Sequence, residues 1–266
     1  MVSHLPEVRI ADYELTIHPY TADEVVDIID DAQGQDSPLW ISNYNLHALY
    51  LHLTDSRFRA ACSRASVYLA DGWPILQWAR LASRQKFSGD RRVGSTDWLA
   101  AILSSGNCYS IVAIGGSPDS ARLAAEEVQR LYPHVEWRGY DGYDLQPQDQ
   151  GSLGTSWQEA VKRADIVLVG RGMPTQEYWI AENLDRPEFA GKVVANVGGC
   201  IDYIAGKQDL APRWMGAWGI EWVYRLAKSP RRLAFRYLVE PMFLAVALVQ
   251  WRMNGDNSRG AAKDEL

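Results

Sequence analysis

Val67-Tyr68-Leu69-Ala70-Asp71-Gly72-Trp73-Pro74 carries four residues of strand character into a carboxylate and then a turn. Beyond the turn, Ile75-Leu76-Gln77-Trp78-Ala79-Arg80-Leu81-Ala82 reads as a helix. A carboxylate at the C-terminal end of a buried strand stands where open α/β sheets place their ligands. Gly72 allows a ligand to approach the backbone closely, and Pro74 suits a first helical turn, where its missing N–H costs nothing. The local residues leave two roles open for Asp71: a cap on the following helix, or a catalytic group.

The same pattern recurs on both sides. Upstream, residues 7–18 alternate around Ala11-Asp12 and predict a hairpin. Thr21 and Glu24 form a capping box for a helix to about Gln33. Leu39-Trp40-Ile41-Ser42 is a short buried strand ending at Asn43-Tyr44-Asn45, and a helix with Leu46, Leu49, Tyr50 and Leu53 follows. His47 and His52 lie five apart on it, not at the i, i+4 spacing of a zinc pair, and read as satisfied histidines. A second helix follows Asp55, Arg57 and Arg59.

Downstream, Ser88 to Asp97 is a polar loop leading into a helix whose buried face is Trp98, Leu99 and Ile102. Ser110 to Gly115 is a strand, and its Gly115-Gly116-Ser117-Pro118 turn has backbone N–H groups suited to a phosphate. Further strands are expected at 135–140, 165–170 and 193–197, with an ordinary loop at 146–154. Strand–helix alternation predicts an α/β, Rossmann-like, mostly parallel sheet with helices on both faces. In such a sheet the strand ends Asn43/Asn45, Asp71/Gly72, Gly115/Gly116, Gly170/Gly172 and Gly198/Gly199 share one edge and outline one cleft.

The chain has 266 residues, 47% of them hydrophobic, enough for a substantial core. A net charge of −6 argues against a nucleic-acid binder. Cys62, Cys108 and Cys200 are far apart and read as reduced, non-ligating thiols, and no metal site is expected. No signal or membrane-spanning pattern is visible. The terminal Lys-Asp-Glu-Leu matches a retention address and, without a signal pattern, reads as coincidence.

Composition changes after Pro212. Between Arg213 and Met253 the local charge is +5, leaving −11 for the rest, and Trp214, Trp218, Trp222, Tyr224, Tyr237 and Trp251 fall in this segment. Residues 1–212 are therefore expected to form one Rossmann-like domain, which the resemblance described below makes the catalytic one. Residues 213–266 are expected to form a basic, Trp-rich helical appendage with a disordered end. Met242 to Trp251, beyond a break at Glu240-Pro241, spans about 15 Å as helix. It is long enough to lie on a membrane surface but not to cross one. The alternative is a helix pair packed on the domain.

The order of motifs resembles the WecG/TagA/CpsF glycosyltransferases (glycosyltransferase family 26). They are Asn45-Leu46-His47-Ala48, Ala70-Asp71-Gly72-Trp73-Pro74, Arg92-Val93-Gly94-Ser95-Thr96-Asp97, Gly170 to Glu177 with Trp179, Gly198-x-x-x-Asp202-x-x-x-Gly206, Ala211-Pro212-Arg213-Trp214 and Gly219 to Leu226. The chain departs from the family pattern at Asn43, Ser95, Thr175 and Ile201, around the sites expected for sugar and nucleotide.

The resemblance implies an inverting transferase at the cytoplasmic face of a bacterial membrane, associated peripherally. It would move a sugar from a UDP-sugar to a polyprenyl-diphosphate-linked sugar in cell-surface or exopolysaccharide biosynthesis. Asp71 is then the general base. No Asp-x-Asp pair is present, so Arg225, Arg232 and Arg236 are the candidates to stabilise the leaving UDP without a metal, or to meet lipid headgroups. Candidate substrate contacts are Asn43, Asn45, Gly72, Arg92, Asp97, Gly115, Gly172, Gln176, Glu177 and Asp202. Set against these roles, Gln176, Glu177 and Asp202 read as caps or turn residues, and Arg92 with Asp97 as an ion pair. No cofactor is expected, and a homo-oligomer is left open. A non-catalytic, membrane-tethered nucleotide-sugar binder is the alternative function. A dehydrogenase ranks below both for want of a G-x-G-x-x-G after the first strand.

Overall fold

The computed structural model describes residues 5–145 and 154–264; for Arg213, Ala217, Arg232 and residues 254–264 it describes the backbone alone. Most of the loop expected at 146–154 lies outside the described residues. Val8–Ile10 (β1) and Leu15–Ile17 (β2) form the antiparallel hairpin. Thr21 opens Ala22–Ala32 (α1) with the expected capping box, its hydroxyl accepting from Glu24 N and the Glu24 carboxylate from Thr21 N. Leu39–Tyr44 (β3) leads through Asn45 into Leu46–Thr54 (α2), and Asp55 caps Ser56–Cys62 (α3). Val67–Ala70 (β4), a bend at Asp71-Gly72 and Trp73–Ser83 (α4) follow.

Ser95–Ser104 (α5), Ser110–Gly115 (β5), Pro118–Leu131 (α6) and Glu136–Tyr140 (β6) continue the alternation. Trp157–Arg163 (α7), Ile166–Gly170 (β7), Thr175–Asn183 (α8), Val193–Asn196 (β8) and Cys200–Ile204 (α9) complete it.

The six strands from β3 to β8 pair in the order β4-β3-β8-β7-β5-β6, every pair parallel. Parallel neighbours require crossovers, and the helices supply them. Because side chains alternate along a strand, Ile111 and Ala113 of β5 face one layer while Val112 and Ile114 face the other. The first layer joins α1, α5, α6 and α9 through Val25, Ile29, Trp98, Leu99, Ala124, Val128 and Ile201. The second joins α7 and α8 through Trp157, Val161 and Ile180. Over β3 and β4 it joins α2, α3 and α4 through Leu49, Phe58, Ile75 and Leu76. Burial on both faces explains why Ile166-Val167-Leu168-Val169 reads as continuous apolar sequence. Each such side chain contributes about 1.5–3 kcal/mol. The architecture is an α/β, Rossmann-like fold, and its sheet proves wholly parallel.

The tail is helical and docked on this domain. Arg213–Ala217 (α10), Glu221–Lys228 (α11) and Pro230–Ala234 (α12) lead into a π-helical turn, Phe235–Val239, and then Glu240–Asp264 (α13). The break expected at Glu240-Pro241 is absent. Glu240 N instead bonds back to Phe235 O across the wider π turn, and Pro241 sits in the first turn of α13, where it needs no partner. The backbone of residues 254–264 continues α13.

One face of α13 is buried on the domain. Leu244 and Ala247 are buried, Leu244 within the cluster over α2, and Trp251 Nε1 donates to Asp12 O at 2.8 Å. The Arg59 guanidinium lies 4.8 Å from the Trp251 ring centre. The other face exposes Met242, Phe243, Val246, Val249 and Met253. Among the described residues no helix is long and apolar enough to cross a membrane.

Candidate active site

Asp71 follows β4 at the sheet edge formed by the C-terminal strand ends, and its backbone N–H donates to Tyr44 O at 3.0 Å. It does not cap α4: the N-cap is Gly72, at φ 108°, and no side chain caps that helix. The capping role left open by the sequence is thereby removed. The carboxylate Oδ2 accepts from Asn45 Nδ2 at 3.4 Å. Gly94 closes over it so tightly that a Cβ there would lie 3.0 Å from Asp71 Oδ1. Burial raises the Asp71 pKa above the ordinary carboxylate range; Arg225, the Asn45 bond and Arg92 oppose this, and Asp97 adds to it. The result is a carboxylate more basic than a solvated one.

Asn45 links three elements. Its Oδ1 accepts from the His47 and Ala48 amides, capping α2, and from Arg236 Nη2 at 3.3 Å, while its Nδ2 reaches Asp71. Arg236 therefore enters the site from the π turn of the tail, and π turns recur at functional sites. The tail is fixed beside it by His47 Nδ1 and Glu240 Oε2, 2.7 Å apart.

Arg225, on α11, reaches the same region, with its guanidinium 5.7 Å from the Tyr203 ring centre. Burial works against its charge, but Tyr203, Tyr237, Asp71 and Glu221 outweigh that and raise its pKa. The Arg232 side chain lies outside the described residues. Arg92 pairs with Glu221 at 3.7 Å, and Asp97 accepts from Gly94 N at 2.9 Å in a capping arrangement. The expected Arg92–Asp97 pair is thus not formed; each meets a different partner beside Asp71.

The remaining candidates divide into cleft and framework. Asn43 is buried: its Nδ2 donates to Asn196 O at 2.6 Å and its Oδ1 accepts from Trp98 Nε1 at 3.2 Å. Its amide ties β3 to β8 and α5. Gly115 is required by packing, since a Cβ there would lie 2.7 Å from Gly170 O. Gly172, at φ 75°, has open space where a Cβ would stand. Gln176 bridges two parts of the edge, accepting from Gly198 N at 3.1 Å and donating to Glu177 Oε1 at 2.7 Å. Glu177 is buried, its Oε2 has no hydrogen-bond partner among the described residues, and burial pushes its pKa up to about 7. Asp202 accepts from Gln208 Nε2 at 3.2 Å, and a Cβ on Gly116 would lie 3.0 Å from its Oδ1.

The site therefore places a half-buried carboxylate with a raised pKa among three arginines, two of them from the tail. Such a group can take a proton from a hydroxyl, and planar guanidinium groups can meet diphosphate oxygens. Among the described residues no group of three His, Cys, Asp or Glu side chains is placed to hold a metal ion. Sequence reasoning missed Glu221, Tyr203 and Trp73 as neighbours of the site. Two carried a signal: Glu221 stands four residues before Arg225 on one helix face, and Trp73 lies in the same motif as Asp71.

A family model, Glycosyl transferase WecG/TagA/CpsF family, matches residues 9–257. An N-acetylglucosaminyldiphosphoundecaprenol N-acetyl-beta-D-mannosaminyltransferase of Bacillus subtilis (strain 168) is 28% identical over 226 residues, covering 82% of this chain and 84% of the relative. A protein of the same name from Bacillus spizizenii is 27% identical over 217 residues, 80% of each chain. One from Staphylococcus aureus (strain MRSA252) is 27% identical over 221 residues, 80% of this chain and 81% of the relative.

Proposed function

The chain belongs to the WecG/TagA/CpsF glycosyltransferase family, and on that premise we propose that it transfers a sugar, with inversion, from a UDP-sugar to a polyprenyl-diphosphate-linked sugar. The Asp71 carboxylate takes the proton of the acceptor hydroxyl as that oxygen attacks the anomeric carbon. The bond from that carbon to the UDP oxygen breaks on the opposite side, and its electron pair leaves with the diphosphate. Arg225 and Arg236, with Arg232 on the same tail, meet the developing charge; preorganised donors of this kind stabilise a transition state strongly.

The observation that carries this reading is the convergence of a half-buried carboxylate with Arg225 and Arg236 from a separate segment. The relatives' names specify a GlcNAc-diphosphoundecaprenol acceptor and a β-mannosaminyl product, which supports the same acceptor class here. Inversion of an α-linked nucleotide sugar gives a β product. The basic, aromatic tail supports peripheral contact with the membrane that carries such an acceptor.

A panel of UDP-sugars with a short-chain prenyl-diphosphate-GlcNAc acceptor tests the reaction. One donor, UDP-N-acetylmannosamine first among them, should give β-linked product, and EDTA should leave the rate intact because arginines carry the leaving-group charge. Absence of transfer with every donor refutes the transferase reading in favour of a nucleotide-sugar binder. Loss of activity with EDTA, restored by Mg²⁺ or Mn²⁺, refutes the metal-independent one.

A further inference from the structure

Two residues beyond Asp71, the half-buried Trp73 side chain turns towards the tail. Its indole Nε1 donates to Gly216 O at 2.8 Å. Gly219, at φ 71°, lies so close to the ring that a Cβ there would stand 2.9 Å from Trp73 Cδ1. The ring is held from the domain side as well. A Cβ on Gly89 would be 3.1 Å from its Cη2, and the Arg80 guanidinium is 5.7 Å from its centre.

The tail residues it grips form one turn, with Gly219 N bonded to Gly216 O at 3.0 Å and Ile220 N to Met215 O at 2.9 Å. Directly after that turn, Glu221 begins α11 and pairs with Arg92. Arg225 follows four residues on, on the same helix face. The position of the 216–221 turn therefore fixes where Arg225 stands.

We propose that Trp73 is a positioning residue: through the Gly216–Gly219 turn it holds the tail in register, so that Arg225 is presented beside the Asp71 carboxylate. The proposal rests on the transferase reading above and names what aligns its two halves. An aliphatic side chain at this position would pack against the same cluster of α2, α4 and β4, but it has no N–H to reach the Gly216 carbonyl. The three-residue span Asp71–Trp73 thus carries both the base and the grip on the segment that supplies its arginine.

The test uses the full chain with Trp73→Phe, which keeps a ring against Gly219 and removes the N–H. Amide hydrogen exchange across residues 216–228 should rise about fivefold, the worth of one hydrogen bond, while sheet amides stay unchanged. Unchanged exchange at 216–228 overturns the proposal whether or not any UDP-sugar is turned over, so its failure is distinct from failure of the transferase reading. With donor and acceptor present, kcat/KM should fall by a similar factor. The acid limb of its pH profile should move to higher pH, because a displaced Arg225 no longer opposes the burial that raises the Asp71 pKa. In an Arg225→Ala background the same substitution should cost less than about twofold, since residues acting through one another are not additive. An undiminished loss in that background, or an unmoved acid limb in Trp73→Phe alone, assigns Trp73 to general packing and overturns the proposal.

Discussion

Asp71 and Glu177 are both carboxylates at one sheet edge, and burial raises the pKa of both; what differs is the set of groups that opposes the rise. Around Asp71 the charges of Arg225 and Arg92 and the Asn45 amide oppose the rise, and the proposed mechanism uses this carboxylate as the base. Asp71→Asn should leave the fold intact and lower turnover by at least ~10²-fold, the usual worth of a general base. Steady-state kinetics on the folded variant check this, and near-normal turnover rules Asp71 out as the base. Glu177 has only Gln176 as a hydrogen-bond partner for one oxygen and none for the other among the described residues. With its pKa pushed up to about 7 from an ordinary 4.5, the native state keeps a proton that the unfolded chain has released. Between those values the native state binds more protons, so stability is lost as pH rises through the window. The loss is on the order of 3 kcal/mol. Glu177→Gln removes it, so the variant's Tm advantage should be small near pH ~4.5 and grow towards pH ~8. A constant difference across that range would show that Glu177 does not titrate in the fold.

At the scale of elements, helix starts and central strands were legible because their causes are local. Thr21 with Glu24 announces α1, and the apolar run Ile166–Val169 announces a strand buried on both faces. The joint at Glu240-Pro241 was not legible. A proline after a polar residue reads as a stop, and only the π turn at Phe235–Val239, stabilised by docking α13 over α2, carries the helix through it. The site divided in the same way. Strand-end residues such as Asp71 and Asn45 could be placed from sequence, whereas Asn43, also at a strand end, points inward because alternation sends it to the Trp98 face. Contacts made across the chain, such as Trp73 to Gly216 and Arg92 to Glu221, leave no periodic trace. Trp251 shows the consequence for a variant. By sequence it belongs to an apolar membrane face; in the structure its Nε1 bonds Asp12 O and its ring lies beneath Arg59. Trp251→Ser should therefore destabilise the folded protein by about 1–3 kcal/mol, read by denaturant unfolding. An unchanged midpoint with lost vesicle binding would return Trp251 to the membrane face.

For the whole molecule, one segment faces two ways. Its inner side supplies Arg225 and Arg236 to the cleft and buries Leu244 and Ala247 on the domain. The same segment exposes Trp214, Trp218, Phe235, Met242, Phe243 and Val246, with Trp218 at 79% exposure and Phe235 stacked on Phe243 at 6.3 Å. These exposed apolar side chains lie within a stretch of local charge +5 on an otherwise acidic chain, the combination that favours an anionic membrane surface. Deleting the tail cannot separate the two roles, because it would also uncover the apolar cluster over α2. Point substitutions on each side can. Trp218→Ser combined with Met242→Ser removes two exposed anchors, each worth about 1.5–3 kcal/mol if buried in the interface. Binding to anionic vesicles should weaken at least ~10-fold, while turnover of a water-soluble acceptor is kept. Arg225→Ala should do the reverse, keeping most vesicle binding and lowering turnover of the soluble acceptor. Vesicle sedimentation and kinetics measured on the same preparations decide between one surface and two. If the Trp218/Met242 double variant binds vesicles as the parent does, these exposed side chains are not the membrane contact. If it loses turnover of the soluble acceptor as well, these exposed side chains also serve the catalytic site.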